Sequence, residues 1–348
     1  MAPTLHRTAA ALLAACVVAF AGGARAQEIT LKVHHFLPPT TTGQVAVIQP
    51  WCDRIARESG GRLACRIYPM MQLGGTPPQL YDQAKDGIAD VVWTLPGYTA
   101  GRFPASEAFE LPFLMKSPEG ASRALWTYAR QNRLFETEYR DVNVLALWVN
   151  DAGYLHTTSR PVRTLADFKG MKLRAPTRLT TRLLSALGAS PVAMPVTAVP
   201  DSLGKGVIDG ALLPWEVIPA IKVEELVRFH TETDPSSRAI YTNVFLLAMN
   251  RAAYERLPAD LRRVIDAASG EELSAAAGRV WQNSRGPARK LATDRGNAIH
   301  VVPAAELANW ERAAASVDDD WVKEVGARGL DGRSLLDSAR GLLRRYDP

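Results

Sequence analysis

The chain has 348 residues, 47% of them hydrophobic and 22% charged, with a formal net charge of +5 at pH 7. That length is ample for two lobes with their own cores, at about 100 to 200 residues per domain, and no apolar run beyond the N-terminus approaches the roughly 20 residues of a membrane helix. Lys and Arg occur in scattered pairs such as Arg262 with Arg263 and Arg344 with Arg345, so the clustered basic footprint of a nucleic-acid binder is absent.

At the N-terminus, His6 and Arg7 precede an apolar run from Ala9 to Ala21, and Ala24, Arg25 and Ala26 form an A-x-A cleavage signal. This pattern predicts a secretory signal peptide cut after Ala26 and a soluble, exported mature chain. Leu13 to Cys16 also matches a lipobox, but cutting there leaves an apolar VVAFAGGA tail. Loss of Arg7 and Arg25 lowers the net charge to +3, because the first 26 residues carry no acid. Cys52 and Cys65 remain, on a predicted helix and the strand after it. In an oxidising compartment they either pair or pack as free thiols.

The next elements alternate strand and helix. TLKVHHF is a strand, about Thr42 to Ser59 a helix closed by Gly60 and Gly61, LACRIYP a strand, Pro77 to Asp86 a helix closed by Gly87, and ADVVWTLP a third strand. This βαβαβ unit brings His35, Phe36, Met70, Met71, Trp93 and Thr94 to one sheet edge. In the following PGYTAGRFP loop, Arg102 is a candidate for a second ligand oxygen, whereas Arg178, which begins a later helix, reads as exposed. Asn150 and Tyr154 flank the expected first crossing between lobes, near strand VLALWVND, and are hinge or cleft candidates.

A second βαβαβ unit runs from Leu165 to Glu216: strand MKLR, helix LTTRLLSAL closed by Gly188, a strand around PVAM, a helix from Thr197 to about Gly206, and an apolar strand ending at Leu213. Ligands of open α/β sheets bind outside the carboxyl ends of the strands. Arg174, Pro195 to Thr197, and Leu213 to Glu216 are therefore expected at one edge. A guanidinium there, beside a helix N-terminus, suits an anion, and its fork matches a carboxylate. The strand IYTNVFLLAMN then returns with Asn243 and Phe245, further hinge or cleft candidates, and Ala259 to about Asn283 reads as one helix long enough to cross both lobes. The remaining residues read as a strand, NAIHVVP, and two amphipathic helices. Lobe 1 is expected at residues 27–150 plus about 240–278, and lobe 2 at 151–239 plus about 279–348, each a mostly parallel α/β sheet.

The motifs of the common nucleophile, zinc, phosphate and dinucleotide sites are absent, which speaks against an enzyme and against a cofactor. His34 and His35 cannot both face one side of a strand and read as structural. Asp318, Asp319 and Asp320 read as a solvated helical face. Glu216 is the one weak candidate for a cation, against its reading as a helix-starting carboxylate.

In their order, LKVHHFLPPTT, MMQLGGTPPQLYDQAKDGIADVVWT, FELPFL, LADFKGMKLRAP, ALGASPVAMP, GVIDGALLPWE and AMNRAAYERLPADLRRVI resemble the substrate-binding proteins of tripartite ATP-independent periplasmic (TRAP) transporters, the dicarboxylate-binding-protein family. The resemblance spans nearly the whole mature length. It implies a two-lobed, type II-like periplasmic binding protein that closes about a hinge on an organic acid. The acid would be handed to membrane permease subunits, by a receptor expected to be a monomer. Arg174 matches the family arginine that grips the ligand carboxylate. Many relatives carry Gln-Glu-Asn-Pro after the Asp-Gly pair, with the asparagine on the ligand, whereas Asp209 and Gly210 here precede Ala211, Leu212, Leu213 and Pro214. With Leu213 and Trp215 on one rim and Phe36, Trp93 and Met70 on the other, the expected cleft is largely apolar apart from its carboxylate grip. It favours a hydrophobic or aromatic monocarboxylate, such as a 2-oxo or 2-hydroxy acid. The alternatives are a periplasmic enzyme acting on a carboxylic acid, with Glu216 or His35 as base, and a ligand sensor for a membrane kinase.

Overall fold

The computed structural model describes residues 28–234 and 236–348, so the signal peptide, its cleavage after Ala26 and the Cys16 alternative lie outside the described residues. Within them the strands are β1 (Ile29–His34), β2 (Leu63–Tyr68), β3 (Val91–Thr94), β4 (Val142–Val149), β5 (Gly153–Thr157), β6 (Lys172–Ala175), β7 (Ser190–Ala193), β8 (Gly210–Pro214), β9 (Phe229–Thr233), β10 (Val244–Asn250) and β11 (Ala298–Val302). They form two sheets, ordered β2-β1-β3-β10-β4 and β11-β9-β5-β8-β6-β7.

Both expected βαβαβ units are present. In the first sheet β1 pairs in parallel with β2 and β3, and in the second β6 pairs in parallel with β7 and β8. β11 pairs in parallel with β9, and the remaining neighbours are antiparallel: β10 joins β3 to β4, and β5 joins β8 to β9. The runs VVWT, GALLP and VFLLAMN are buried throughout, the signature of central strands covered on both faces. After five strands of the second sheet the chain returns as β10 to the first.

The helix expected over Ala259 to about Asn283 is two helices, Ala259–Ala267 and Glu271–Asp294. Gly270 separates them. Its φ of 91° is open to glycine and strained for other residues, and its N–H donates to the Leu145 carbonyl at 2.7 Å instead of continuing the helix. The second helix, about 36 Å long at about 1.5 Å per residue, spans both sheets. Near its start Ser274 accepts from the Leu147 amide of β4, and further on Arg289 meets Glu232 of β9. The last helix, Gly332–Tyr346, falls in the stretch expected with lobe 2 but packs on helix Pro118–Gln131 beside the first sheet. There the Asp347 carboxylate accepts from the Lys116 and Ser117 amides at 2.6 and 2.7 Å.

Cys52 and Cys65 form a disulfide, their Cα atoms 5.7 Å apart, tying helix Gln49–Glu58 to β2. The bridge closes a loop of sequence separation 13, for which the chain-entropy argument gives about 3 kcal/mol. The Cys52→Ala, Cys65→Ala variant should unfold roughly 4 to 5 °C lower, at about 2.1 cal/mol/K of unfolding entropy per residue. An unchanged calorimetric midpoint would show that the bridge adds nothing to stability.

Candidate functional site

Arg174 lies near the carboxyl end of β6, a strand flanked by β7 and β8, and its side chain is buried. Its Nε donates to the Met194 carbonyl at 3.1 Å and its Nη1 to the Leu212 carbonyl at 2.9 Å. Two neighbouring chain segments thus hold the guanidinium plane and leave donors of its five-hydrogen fork free for something else. Burial pulls its pKa below the ordinary arginine value. Among the described residues the opposing influences are the phenols of Tyr98 and Tyr241 rather than a carboxylate. A buried cation without an anion is costly and calls for an anionic partner.

Arg174 lines a cavity of about 30 Å³ between the sheets, room for roughly two water molecules. Its walls are mainly apolar, with Phe36, Leu95 and Phe245 from the first lobe and Val196, Leu213 and Val217 from the second. Three further polar side chains reach it: Tyr98, Asn243 and Glu216. The Tyr98 hydroxyl accepts from the Val196 amide at 3.1 Å, a link between the two lobes. Tyr241 packs so closely on β5 that a Cβ on Gly153 would sit 1.8 Å from its ring, so glycine is required there.

Glu216 is over nine-tenths buried. Its Oε1 accepts from Trp281 Nε1 at 2.8 Å, while Oε2 has no partner among the described residues. Burial, reinforced by Asp151, pushes its pKa up to about 8, so the group is mostly a neutral acid at pH 7. A cation would want the opposite. Among the described residues no cluster of three or more His, Cys, Asp or Glu side chains could hold a metal ion.

Of the residues expected at the site, the cavity brings together Arg174, Phe36, Val196, Leu213, Pro214, Glu216, Asn243 and Phe245; the others lie elsewhere, for identifiable reasons. Trp93 is fully buried behind the wall, stacked 6.3 Å from Trp148 and edge-on to Trp281 at 6.0 Å. His35 packs against Trp93, its Nε2 bonded to Gln44 and its Nδ1 accepting from the Leu37 amide. Burial takes its pKa down to about 4, leaving it neutral and structural. Thr94 is buried within β3, opposite Leu246 of β10. Trp215 turns away from the cavity and donates to Glu232 at 2.8 Å, wedged against His156 and His230.

Arg102 is held by Asp82 through a bidentate pair at 2.8 and 2.9 Å and lies over the Tyr81 ring. Its charge is already paired there. Arg178, read above as exposed, is mostly buried and paired with Glu107 and Glu324. Asn150 joins the two crossings, its Nδ2 donating to the Asp151 carbonyl at 2.7 Å and its Oδ1 accepting from the Asn243 amide. Tyr154, on β5 opposite Leu213, lies near Arg285. Tyr98 and Leu95 were missed. The turn after a strand's carboxyl end is the signal that could have found them, in the same loop that suggested Arg102.

The sequence profile of bacterial extracellular solute-binding protein family 7 matches residues 33–324. A TRAP solute-binding protein from Rhodoferax ferrireducens T118, in complex with copurified benzoate, is 49% identical. The match covers 91% of this chain and 98% of that one, with a TM-score of 0.89. A marine metagenome TRAP solute-binding protein specific for aromatic acid ligands, solved with 3-hydroxybenzoate, is 44% identical over 92% of this chain and 100% of that one, with a TM-score of 0.90. A Bordetella bronchiseptica protein of the same type, with bound (R)- and (S)-mandelate, is 28% identical over 92% and 100%, with a TM-score of 0.84.

Proposed function

We infer, from a chain that belongs to bacterial extracellular solute-binding protein family 7, that it is the receptor of a TRAP transporter and that its ligand is an aromatic monocarboxylate. The observation that carries this reading is Arg174, a buried guanidinium with free donors and no ion-pair partner among the described residues, at the wall of an otherwise mainly apolar cavity whose one carboxyl group, Glu216, is held mostly neutral by burial. A carboxylate neutralises the arginine, and an aromatic ring fills the space between Phe36, Leu213 and Phe245. Among the described residues Arg174 is the one cationic side chain lining the cavity, so a second carboxylate would meet no charge of its own there. The similar structures with benzoate, 3-hydroxybenzoate and mandelate support the same class.

In this reading the protein is exported, cut after Ala26, works in the periplasm and passes unchanged acid to permease subunits. Its lobes divide at the crossings after β4 and before β10. Among the described residues no helix is long and apolar enough to cross a membrane. A cavity of about 30 Å³ is smaller than a benzene ring, so entry requires the lobes to part.

The test is thermal unfolding of residues 27–348 with aromatic, 2-oxo, sugar and C4-dicarboxylic acids. A ligand at a thousand times its dissociation constant adds about 4 kcal/mol. Benzoate-like acids should raise the midpoint, and one equivalent should be recovered unchanged. A larger shift with a sugar acid or a dicarboxylate would refute the aromatic reading, and conversion of the acid would refute the receptor reading.

A further inference from the structure

Two buried polar atoms at the cavity make no hydrogen bond of good geometry with the described residues, although the Glu216 and Val217 backbone amides lie close enough to the Glu216 carboxyl to oppose the rise of its pKa. Glu216 Oε2 and Asn243 Oδ1 are without partners among the described residues, in side chains 8% and 4% exposed that both line the cavity with Arg174. Such atoms are expensive to leave unpaired, and native structures rarely keep them without a reason. They are also held in place. Glu216 is anchored through Oε1 to Trp281, which packs among Trp93, Trp148 and Phe245, and the Asn243 backbone is bonded to Asn150 in both directions.

We propose that Glu216 and Asn243 form a subsite that reads a hydroxyl group on the ligand, so that the preferred aromatic acid is a hydroxylated one. The proposal rests on the aromatic-acid reading and narrows it. A hydroxyl has one hydrogen to give and lone pairs that accept. The neutral Glu216 carboxyl, whose Oε1 is engaged by Trp281, donates from Oε2 to the hydroxyl oxygen, and the hydroxyl hydrogen goes to Asn243 Oδ1. Arg174 takes the carboxylate. Hydrogen, fluorine or methyl in place of the hydroxyl leaves both protein atoms unpaired, and sites of this kind discriminate strongly against the analogue that lacks the group. A second carboxylate has no hydrogen for Asn243 and faces its oxygen instead. The phenol, with a pKa of about 10, remains protonated at neutral pH.

Isothermal titration of the mature protein at pH 7 with benzoate, the three hydroxybenzoates and the three fluorobenzoates tests this. At least one hydroxybenzoate should bind tenfold or more tightly than benzoate and than its fluoro counterpart. Glu216→Gln, whose amide still accepts from Trp281 and donates onward, should keep that ratio within about threefold. Asn243→Leu should bring it close to one. If benzoate binds and no hydroxy isomer exceeds its fluoro counterpart, the subsite is refuted while the aromatic-acid reading stands. If Glu216→Gln loses the preference, an ionised Glu216 is responsible and the proposed donor is refuted. If none of the acids binds the wild-type protein, the aromatic-acid reading fails and the subsite falls with it.

Discussion

Arg174→Ala should weaken binding of the aromatic acid on the order of 100-fold, with little effect on the stability of the unliganded protein. The two effects have different origins. In the complex the variant loses charge-assisted hydrogen bonds, each with a net contribution of about 1.5 to 3 kcal/mol. It also loses the anion's only compensating charge in a mainly apolar cavity. In the unliganded protein, removal of the guanidinium leaves the Met194 and Leu212 carbonyls without their donor but relieves the burial of a cation that has no anion beside it. These terms oppose. Arg174→Lys should recover only part of the affinity, because an ammonium cannot bond both carbonyls and still present a fork to the ligand. Titration of both variants, alongside their unfolding midpoints, separates the terms. Binding of the Ala variant at wild-type affinity would remove Arg174 from the site.

The legibility of Arg174 and the opacity of its neighbours have one explanation. The βαβαβ units are local, so hydrophobic periodicity and helix-closing glycines were enough to put Arg174, Pro195 to Thr197 and Leu213 to Glu216 together at one edge. The direction of a side chain on a fully buried strand is not local. Period-two alternation vanishes when both faces are covered, as in β3, and Trp93 could not be assigned to the cavity or to the tryptophan cluster behind it. Trp215, in the turn after β8, was lost to a partner distant in sequence, Glu232 on a strand that follows it. Arg102 needed knowledge of which face of the helix Leu80–Lys85 presents Asp82. The polarity of the cavity, underestimated from the missing family asparagine, depends on Asn243 from the returning strand and on Trp281. The latter meets Glu216 along the helix that starts after Gly270, a break that the alanine-rich run conceals.

Arg178→Ala should destabilise the protein by about 3 kcal/mol, in the range for removing one partner of a buried ion pair, and by more at pH 8 than at pH 5. Arg178 opens the helix Arg178–Ala186 of the second lobe, and Glu107 belongs to the Ser106–Glu110 turn of the first. Arg178 Nε donates to Glu107 Oε1 at 2.5 Å, Nη2 bonds the other oxygen, and Nη1 reaches Glu324 at 2.6 Å, with side-chain exposures of 15% and 6% for Arg178 and Glu107. Burial pushes the Glu107 pKa up, with Arg178 pulling the other way. Without the arginine, burial and Glu324 are opposed only by the smaller influence of a hydrogen bond from Trp321, and Glu107 is raised further. An acid whose folded pKa lies above its unfolded value favours the folded state at low pH and loses that contribution as the pH rises through the folded pKa. The deficit of the variant therefore grows with pH. Glu107→Gln added to Arg178→Ala should restore most of the loss and flatten the pH dependence, because no buried charge is left unpaired. The pair also bridges the lobes, so a variant that lacks it spends less time closed, and apparent affinity falls in proportion to the closed fraction. Unfolding midpoints and benzoate titrations across pH 5 to 8 decide the matter. Equal midpoints for wild type and Arg178→Ala at pH 8 would mean that the pair contributes nothing, and a lower midpoint with unchanged affinity would confine it to stability.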